Sequence, residues 1–168
     1  SSAGVTEVSR NGFEVSFADG SSTTADIVAT IPVHKMPDIV AASGVANGKP
    51  WVPVSRATLE TSIANVFAIG DVNVVPSGEF AIPKAGVFAA GQGTKVGEVI
   101  SSRINETDEP EPYDGVGFCY LAYSGGRSAT VGGEFLAEGG PQTIVTEPMV
   151  SGMKHKERFE RDWRNFRI

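Results

Sequence analysis

Cysteine occurs once in these 168 residues, as Cys119, and a single thiol excludes an internal disulfide framework. Histidine occurs twice, as His34 and His155, and neither is spaced as a metal ligand with the cysteine. Lys and Arg number 14 against 20 Asp and Glu, giving a net charge of -6. That leaves no cationic excess to neutralise phosphates and excludes a general nucleic-acid binder. No apolar run approaches the ~20 residues that cross a bilayer. The glycine-rich turn GxGxxG, which seats a dinucleotide pyrophosphate at a helix start, occurs nowhere. At the N-terminus, SSAGVTEVSR has no basic stretch followed by an apolar one, so no signal peptide is read there. It opens in strand-like alternation, as expected of a piece of a longer chain.

What is present is globular in character: 40% hydrophobic and 20% charged residues, with 20 glycines and 10 prolines that call for many turns. The opening reads as a β-meander. Strand-like AGVTEVSR and FEVSFADG flank Asn11-Gly12, a two-residue hairpin signal, and Phe13, Val15 and Phe17 alternate with Glu14 and Ser16 to give one buried face. A turn at Asp19-Gly20 leads to a strand through Ile27 and Val28 that stops before Pro32. PDIVAASGV predicts a short helix ended by Gly44. The run NVFAIGDV (65–72) predicts a buried strand that stops at glycine and a carboxylate. A long helix is expected over 84–104, small on almost every side through Ala85, Gly86, Ala89, Ala90, Gly91, Gly93 and Gly97. Each interior glycine costs about 1 kcal/mol relative to alanine, so the series implies close packing. Acidic NETDEPEPYDG reads as a linker. Strands GFCYLAY and RSATVGGEFLA follow, joined by Ser124-Gly125-Gly126, then an irregular EGGPQTIVTEP and a charged helix, KHKERFERDWRNF.

Two signals carry chemistry. A strand that enters Gly70 lets another backbone or a ligand approach, and Asp71 at its end could accept hydrogen bonds from ligand hydroxyls; an ordinary Asx turn is the alternative. Behind Pro83, a helix start exposes free N–H groups and a partial positive charge, which favours an anionic group; tight packing on a sheet explains the same small residues without a ligand. Gly91-Gln92-Gly93 sits inside the helix rather than at a strand–helix turn, and is not a dinucleotide loop.

The stretch TSIANVFAIGD resembles the second flavin-binding motif of the pyridine nucleotide-disulfide oxidoreductases, flavoproteins built from two dinucleotide-binding domains; ADIVATIP resembles the end of their middle domain. The resemblance covers residues 5–104. It implies an α/β fold, α+β in its C-terminal part: a partial two-dinucleotide-binding-domain flavoprotein with an incomplete Rossmann-type FAD domain and a small β-rich C-terminal domain. The division implied is 1–45 for the end of the middle, nicotinamide-type domain, 46–105 for the C-terminal part of the FAD domain, and 106–168 for an interface domain. FAD is the implied cofactor, with Gly70 and Asp71 at the ribityl chain and Lys84, Ala85 and Gly86 at the pyrimidine end of the flavin.

PKAG with its long helix, an acidic linker, YDGVGFCY and a glycine-rich hairpin narrow the resemblance to sulfide:quinone oxidoreductases and the flavoprotein subunit of flavocytochrome c sulfide dehydrogenase. In those enzymes a cysteine at the place of Cys119 is one of two redox-active residues; the second falls outside this sequence. Read without the resemblance, Cys119 is a small core hydrophobe. The resemblance implies sulfide and quinone as substrates, with flavocytochrome c, a type II NADH dehydrogenase-like enzyme and a non-catalytic dimerisation or docking module as alternatives. The last helix sets Lys154, Lys156, Arg158, Arg161, Arg164 and Arg167 around a stripe of Phe159, Trp163 and Phe166. That stripe either docks the helix on its own domain or makes a weak peripheral membrane contact. A cytoplasmic or peripheral-membrane location and a homo-oligomer complete the expectations.

Overall fold

In the computed structural model, residues 4–9, 11, 13–76 and 81–165 are described. They fall into two compact units, residues 1–34 and 35–168.

The first unit is the expected meander. Strands β1 (Val5–Val8), β2 (Glu14–Phe17) and β3 (Ser22–Thr24) pair antiparallel in that order. Asn11 stands in the first turn, while its partner Gly12 lies outside the described residues. At the second turn the Asp19 carboxylate accepts from the Ser21 N–H at 3.0 Å and hydroxyl at 2.6 Å, and Gly20 takes φ +83°. These hydrogen bonds hold the Asp19 carboxyl below its usual range. Val15 is buried, but Phe13 is 54% exposed, so the predicted apolar face is only partly covered. The third strand also lies earlier than its apolar residues suggest. It ends at Thr24, and Ile27 is 87% exposed, because the Ser-Thr run rather than Ile27-Val28 faces β2 in register.

In the second unit α1 (Asp38–Ala42) follows Pro37 and ends where Gly44 adopts φ +83°, as its sequence predicts. Two short parallel strands, β4 (Val52–Pro53) and β5 (Asn73–Val74), pair through Val52↔Asn73 and Pro53↔Val74. The stretch between them departs from expectation. NVFAIG forms no regular strand: Phe67 makes one isolated antiparallel bridge to Glu60, and Val66 and Ile69 are 37% and 43% exposed. An apolar run becomes a buried strand only when strands flank it, and among the described residues one bridge is its whole pairing. It leads into a 3-10 turn at Gly70–Val72.

Helix α2 (Gly86–Ile104) buries Phe88, Gln92, Lys95, Val99 and Ser102, spaced four, three, four and three, one stripe of an amphipathic helix. Of its glycines, Gly86 and Gly97 face nothing within 4 Å, and Gly91 and Gly93 face neighbours at ordinary packing distance, so the close packing expected of the whole series is not borne out. A Cβ on Gly91 would lie 3.5 Å from the Tyr113 ring, and one on Gly93 3.7 Å from Ile69. Tyr113 also shows that the acidic linker is anchored. It is buried, its N–H donates to the Arg56 carbonyl at 3.1 Å, and its hydroxyl donates to the Phe88 carbonyl at 3.4 Å. Burial, with the Asp114 charge adding to it, pushes the phenol up to about 12.

Strands β6 (Val116–Tyr123), β7 (Arg127–Glu134) and β8 (Gln142–Val145) make an antiparallel sheet in sequence order, with Cys119 opposite Val131. β8 lies in the stretch expected to be irregular. Helix α3 (Val150–Asn165) begins four residues before KHKERF and crosses the sheet so closely that a Cβ on Gly152 would sit 2.1 Å from the Ser128 carbonyl oxygen. Phe166 and Arg167 lie outside the described residues. Met36, Val52, Val54, Leu59, Val75, Tyr113 and Leu136 form the core that joins linker, strands and sheet.

Candidate functional site

The start of α2 divides two clefts. The first encloses about 80 Å³ and is lined by Trp51, the Gly70-Asp71 turn, Lys84, Ala85 and Gln92 among others. The second, about 400 Å³, lies between Ala85–Val87, Phe118–Tyr120 on β6 and Lys156, Phe159, Glu160 and Trp163 on α3. Of the residues singled out in the sequence, Gly70, Asp71, Lys84 and Ala85 therefore share one cleft. Gly86 and Cys119 share the other, and Ala85 borders both. Asp71 and Cys119 have no cleft in common.

The turn that presents Asp71 is held from two sides. Gly70 takes φ +73°, a conformation open chiefly to glycine, and faces Ala89, whose Cβ would be 3.4 Å from one placed on Gly70. On the helix side the Gln92 carbonyl oxygen accepts the Gly70 N–H at 2.6 Å and the Asn73 side-chain amide at 3.0 Å. The same Asn73 amide donates to the Ala68 carbonyl at 2.7 Å, which fixes its orientation. On the other side the Lys84 ammonium donates to the Asp71 carbonyl at 2.5 Å and the Asn73 carbonyl at 3.0 Å, and lies 3.7 Å from the centre of the Trp51 ring. Burial pulls the Lys84 ammonium below its ordinary pKa, opposed by the Asp71 charge. Lys84 thus spends its donors on the turn, while the Asp71 carboxylate accepts no hydrogen bond among the described residues and is exposed.

Sequence reasoning missed Gln92, Asn73 and Trp51. The available signal for Gln92 was a polar residue between two glycines on the apolar stripe of a helix; its partner Gly70 lies 22 positions away.

At the helix start, Ala85 is extended and offers no side-chain cap, and its carbonyl accepts the N–H groups of Phe88 at 3.0 Å and Ala89 at 3.1 Å. In the second cleft, Phe159 packs edge-on against Phe118, with ring centres 5.3 Å apart, and stands 5.7 Å from both Tyr120 and Trp163. Phe159 therefore docks α3 on its own sheet, while Trp163 packs on Phe159 and stays 45% exposed. Lys156 and Glu160 pair along the rim, and the thiol of Cys119 is free. No helix among the described residues is long and apolar enough to cross a membrane.

No family model matches the sequence. No curated protein matches it either. Solved structures do resemble the fold. The ferredoxin reductase of the CYP199A2 system of Rhodopseudomonas palustris superposes with a TM-score of 0.56 at 22% identity, over 79% of this chain and 32% of that one. Fdr9 gives 0.57 at 20% identity, over 86% and 42%. A chain of the Tetrahymena thermophila mitochondrial ATP synthase tetramer gives 0.61 at 20%, over 77% and 31%. The chain spans about a third of the length of the first of these proteins. It is a mixed α/β chain whose fold resembles part of that ferredoxin reductase and part of Fdr9.

Proposed function

We propose that this chain is the C-terminal part of an FAD-dependent oxidoreductase of the pyridine nucleotide-disulfide type, one that oxidises sulfide and delivers the electrons to a quinone. The observation that carries the reading is the Gly70-Asp71 turn, clamped by Lys84 and Gln92 so that a free carboxylate stands beside the start of α2. The residues fit one end of FAD. An unpaired carboxylate suits the ribityl hydroxyls, and an uncapped helix start suits the pyrimidine edge, where reduction accumulates negative charge. Nothing in the sequence fits the pyrophosphate, which must find its seat elsewhere. When bound, FAD supplies the two-electron acceptor that takes electrons from sulfur and releases them to quinone.

In this reading Asp71 accepts hydrogen bonds from the cofactor, and Lys84 holds the turn rather than the ligand. Cys119 provides one sulfur of a disulfide whose other cysteine comes from outside this sequence: sulfide attacks the bridge, a persulfide forms on one cysteine as the sulfur–sulfur bond breaks, and the other cysteine leaves as the thiolate that carries the electron pair. The aromatic walls of the second cleft, Phe118, Tyr120, Phe159 and Trp163, suit a flat, apolar quinone. The basic residues of α3 add a weak attraction to anionic lipid. The division 1–45, 46–105 and 106–168 belongs to the same proposal.

A second reading, a non-catalytic docking module, has an observation of its own, since the fold also occurs in a chain of a mitochondrial ATP synthase assembly. Anaerobic sulfide titration of the complete natural protein, followed by flavin absorbance, tests both. Rapid bleaching that is lost in Cys119→Ser supports the relay. Equal bleaching in the two makes Cys119 a packing residue. Bleaching by NADH but not by sulfide moves the protein to the dehydrogenase class, and a protein without flavin sinks the oxidoreductase reading in favour of the module.

A further inference from the structure

One buried side chain has donors that the fold does not use. Gln92 is 3% exposed, yet it lines the cleft of Asp71 and Lys84. Its orientation is fixed by chemistry. A backbone N–H can only donate, so the atom 2.6 Å from the Gly70 nitrogen must be the side-chain oxygen, and the Asn73 amide confirms it from a second direction. The amide nitrogen consequently points the other way, carrying two N–H donors without a protein acceptor among the described residues. Gln92 lines the open cleft, and no side-chain nitrogen or oxygen sealed from solvent lacks a partner among those residues. An NH2 group in so confined a place loses most of its water and costs about 1–3 kcal/mol if nothing accepts from it.

We infer that Gln92 is a ligand-binding residue as well as a strut: its amide nitrogen donates to an acceptor oxygen of the group that occupies the cleft. On the functional reading above, on which this inference rests, that group is FAD. The side chain then reads both sides of the turn. Its oxygen holds Gly70 in its left-handed conformation, and its nitrogen senses whether the cleft contains an acceptor, which couples cofactor binding to the geometry that presents Asp71.

Gln92→Glu separates the two roles. A carboxylate can still accept from Gly70 and Asn73 but offers no donor until it is protonated. In the complete natural protein, FAD affinity of this variant is expected to fall about tenfold near pH 8, the size of one lost hydrogen bond. The deficit relative to wild type should shrink as pH falls to about 5, where a partly buried carboxyl regains its proton and with it an O–H donor. Gln92→Leu, which removes both roles, should lose thermal stability as a cofactor-free protein in addition to affinity. A Gln92→Glu protein that binds FAD like wild type at every pH overturns the inference and leaves a strut. A wild-type protein that binds no FAD overturns the functional reading first, and this with it. Should Gln92→Glu not fold, wild type labelled with 15N at glutamine side chains gives the same decision. FAD must shift one side-chain NH2 pair downfield and slow its exchange; pairs that all stay in place overturn the inference.

Discussion

Arg103, near the C-terminal end of α2, makes a two-pronged contact with Glu60 at 3.0 and 2.8 Å, reaches Glu109 at 3.3 Å, and stacks 5.5 Å from the Phe67 ring centre. Glu60 also accepts the Asn65 N–H at 2.5 Å. The Arg103 hydrogen bonds first, and then the Asn65 N–H, lower the Glu60 carboxyl from 4.5 to about 2. This cluster ties the irregular segment that leads to Gly70 onto the far end of the helix that Gly70 meets through Gln92. Because the folded-state pKa is depressed, the stability it contributes is present above the ordinary carboxylate range and lost as pH falls from about 4.5 to about 2. Glu60→Gln should therefore cost on the order of 1 kcal/mol near neutral pH, the upper end for a partly exposed pair, and flatten the acid limb of stability. Urea unfolding from pH 7 to pH 2 measures both; parallel acid limbs for variant and wild type would refute the assignment. The sequence of this region was only half legible. Gly70-Asp71 stood out as a turn with a carboxylate, whereas Glu60 and Arg103, 43 positions apart, have no local signature that pairs them.

At the scale of elements, the helices were legible because their signals are local. Pro83 and Gly44 mark boundaries, and the apolar spacing of α2 lies within one segment. The strands were less so. NVFAIG has the composition of a buried strand, but burial is a property of its neighbours, and β8 hides in a stretch rich in glycine, proline and threonine. One contact between elements decides how the two clefts sit at the start of α2. Gly117, at the beginning of β6, meets the edge of Phe88, the first buried residue of the helix, so closely that a Cβ would lie 2.2 Å from the ring. Phe88 cannot swing aside freely, since it packs edge-on against Phe135 with centres 4.9 Å apart and is 1% exposed. Gly117→Ala should destabilise the protein by about 1–3 kcal/mol, the range for overpacking a close-packed core. Phe88→Leu in the same chain, which removes the ring edge, should recover part of that loss. Equal melting temperatures for Gly117→Ala and wild type would mean that the helix and strand do not approach this closely.

For the whole molecule, fold and cofactor retention need not coincide. The second unit has a continuous core from Met36 to Leu136, and the Gly70–Asp71 turn is braced by contacts internal to it, so the cleft proposed for the ribityl and pyrimidine end is shaped by contacts within this chain. The diphosphate is the most strongly charged part of FAD and relies on backbone N–H groups at a glycine-rich turn, which this sequence does not contain. Each hydrogen bond to a charged group contributes about 1.5–3 kcal/mol, so two of them amount to a factor of roughly a hundred to ten thousand or more in affinity. The 168-residue chain mixed with excess FAD and passed through a desalting column should therefore emerge folded but colourless, while the complete natural protein keeps its flavin absorbance. A yellow, stoichiometric complex of the chain alone would show that the adenine and diphosphate half contributes little to binding. It would place the affinity instead in the Asp71 cleft and the start of α2.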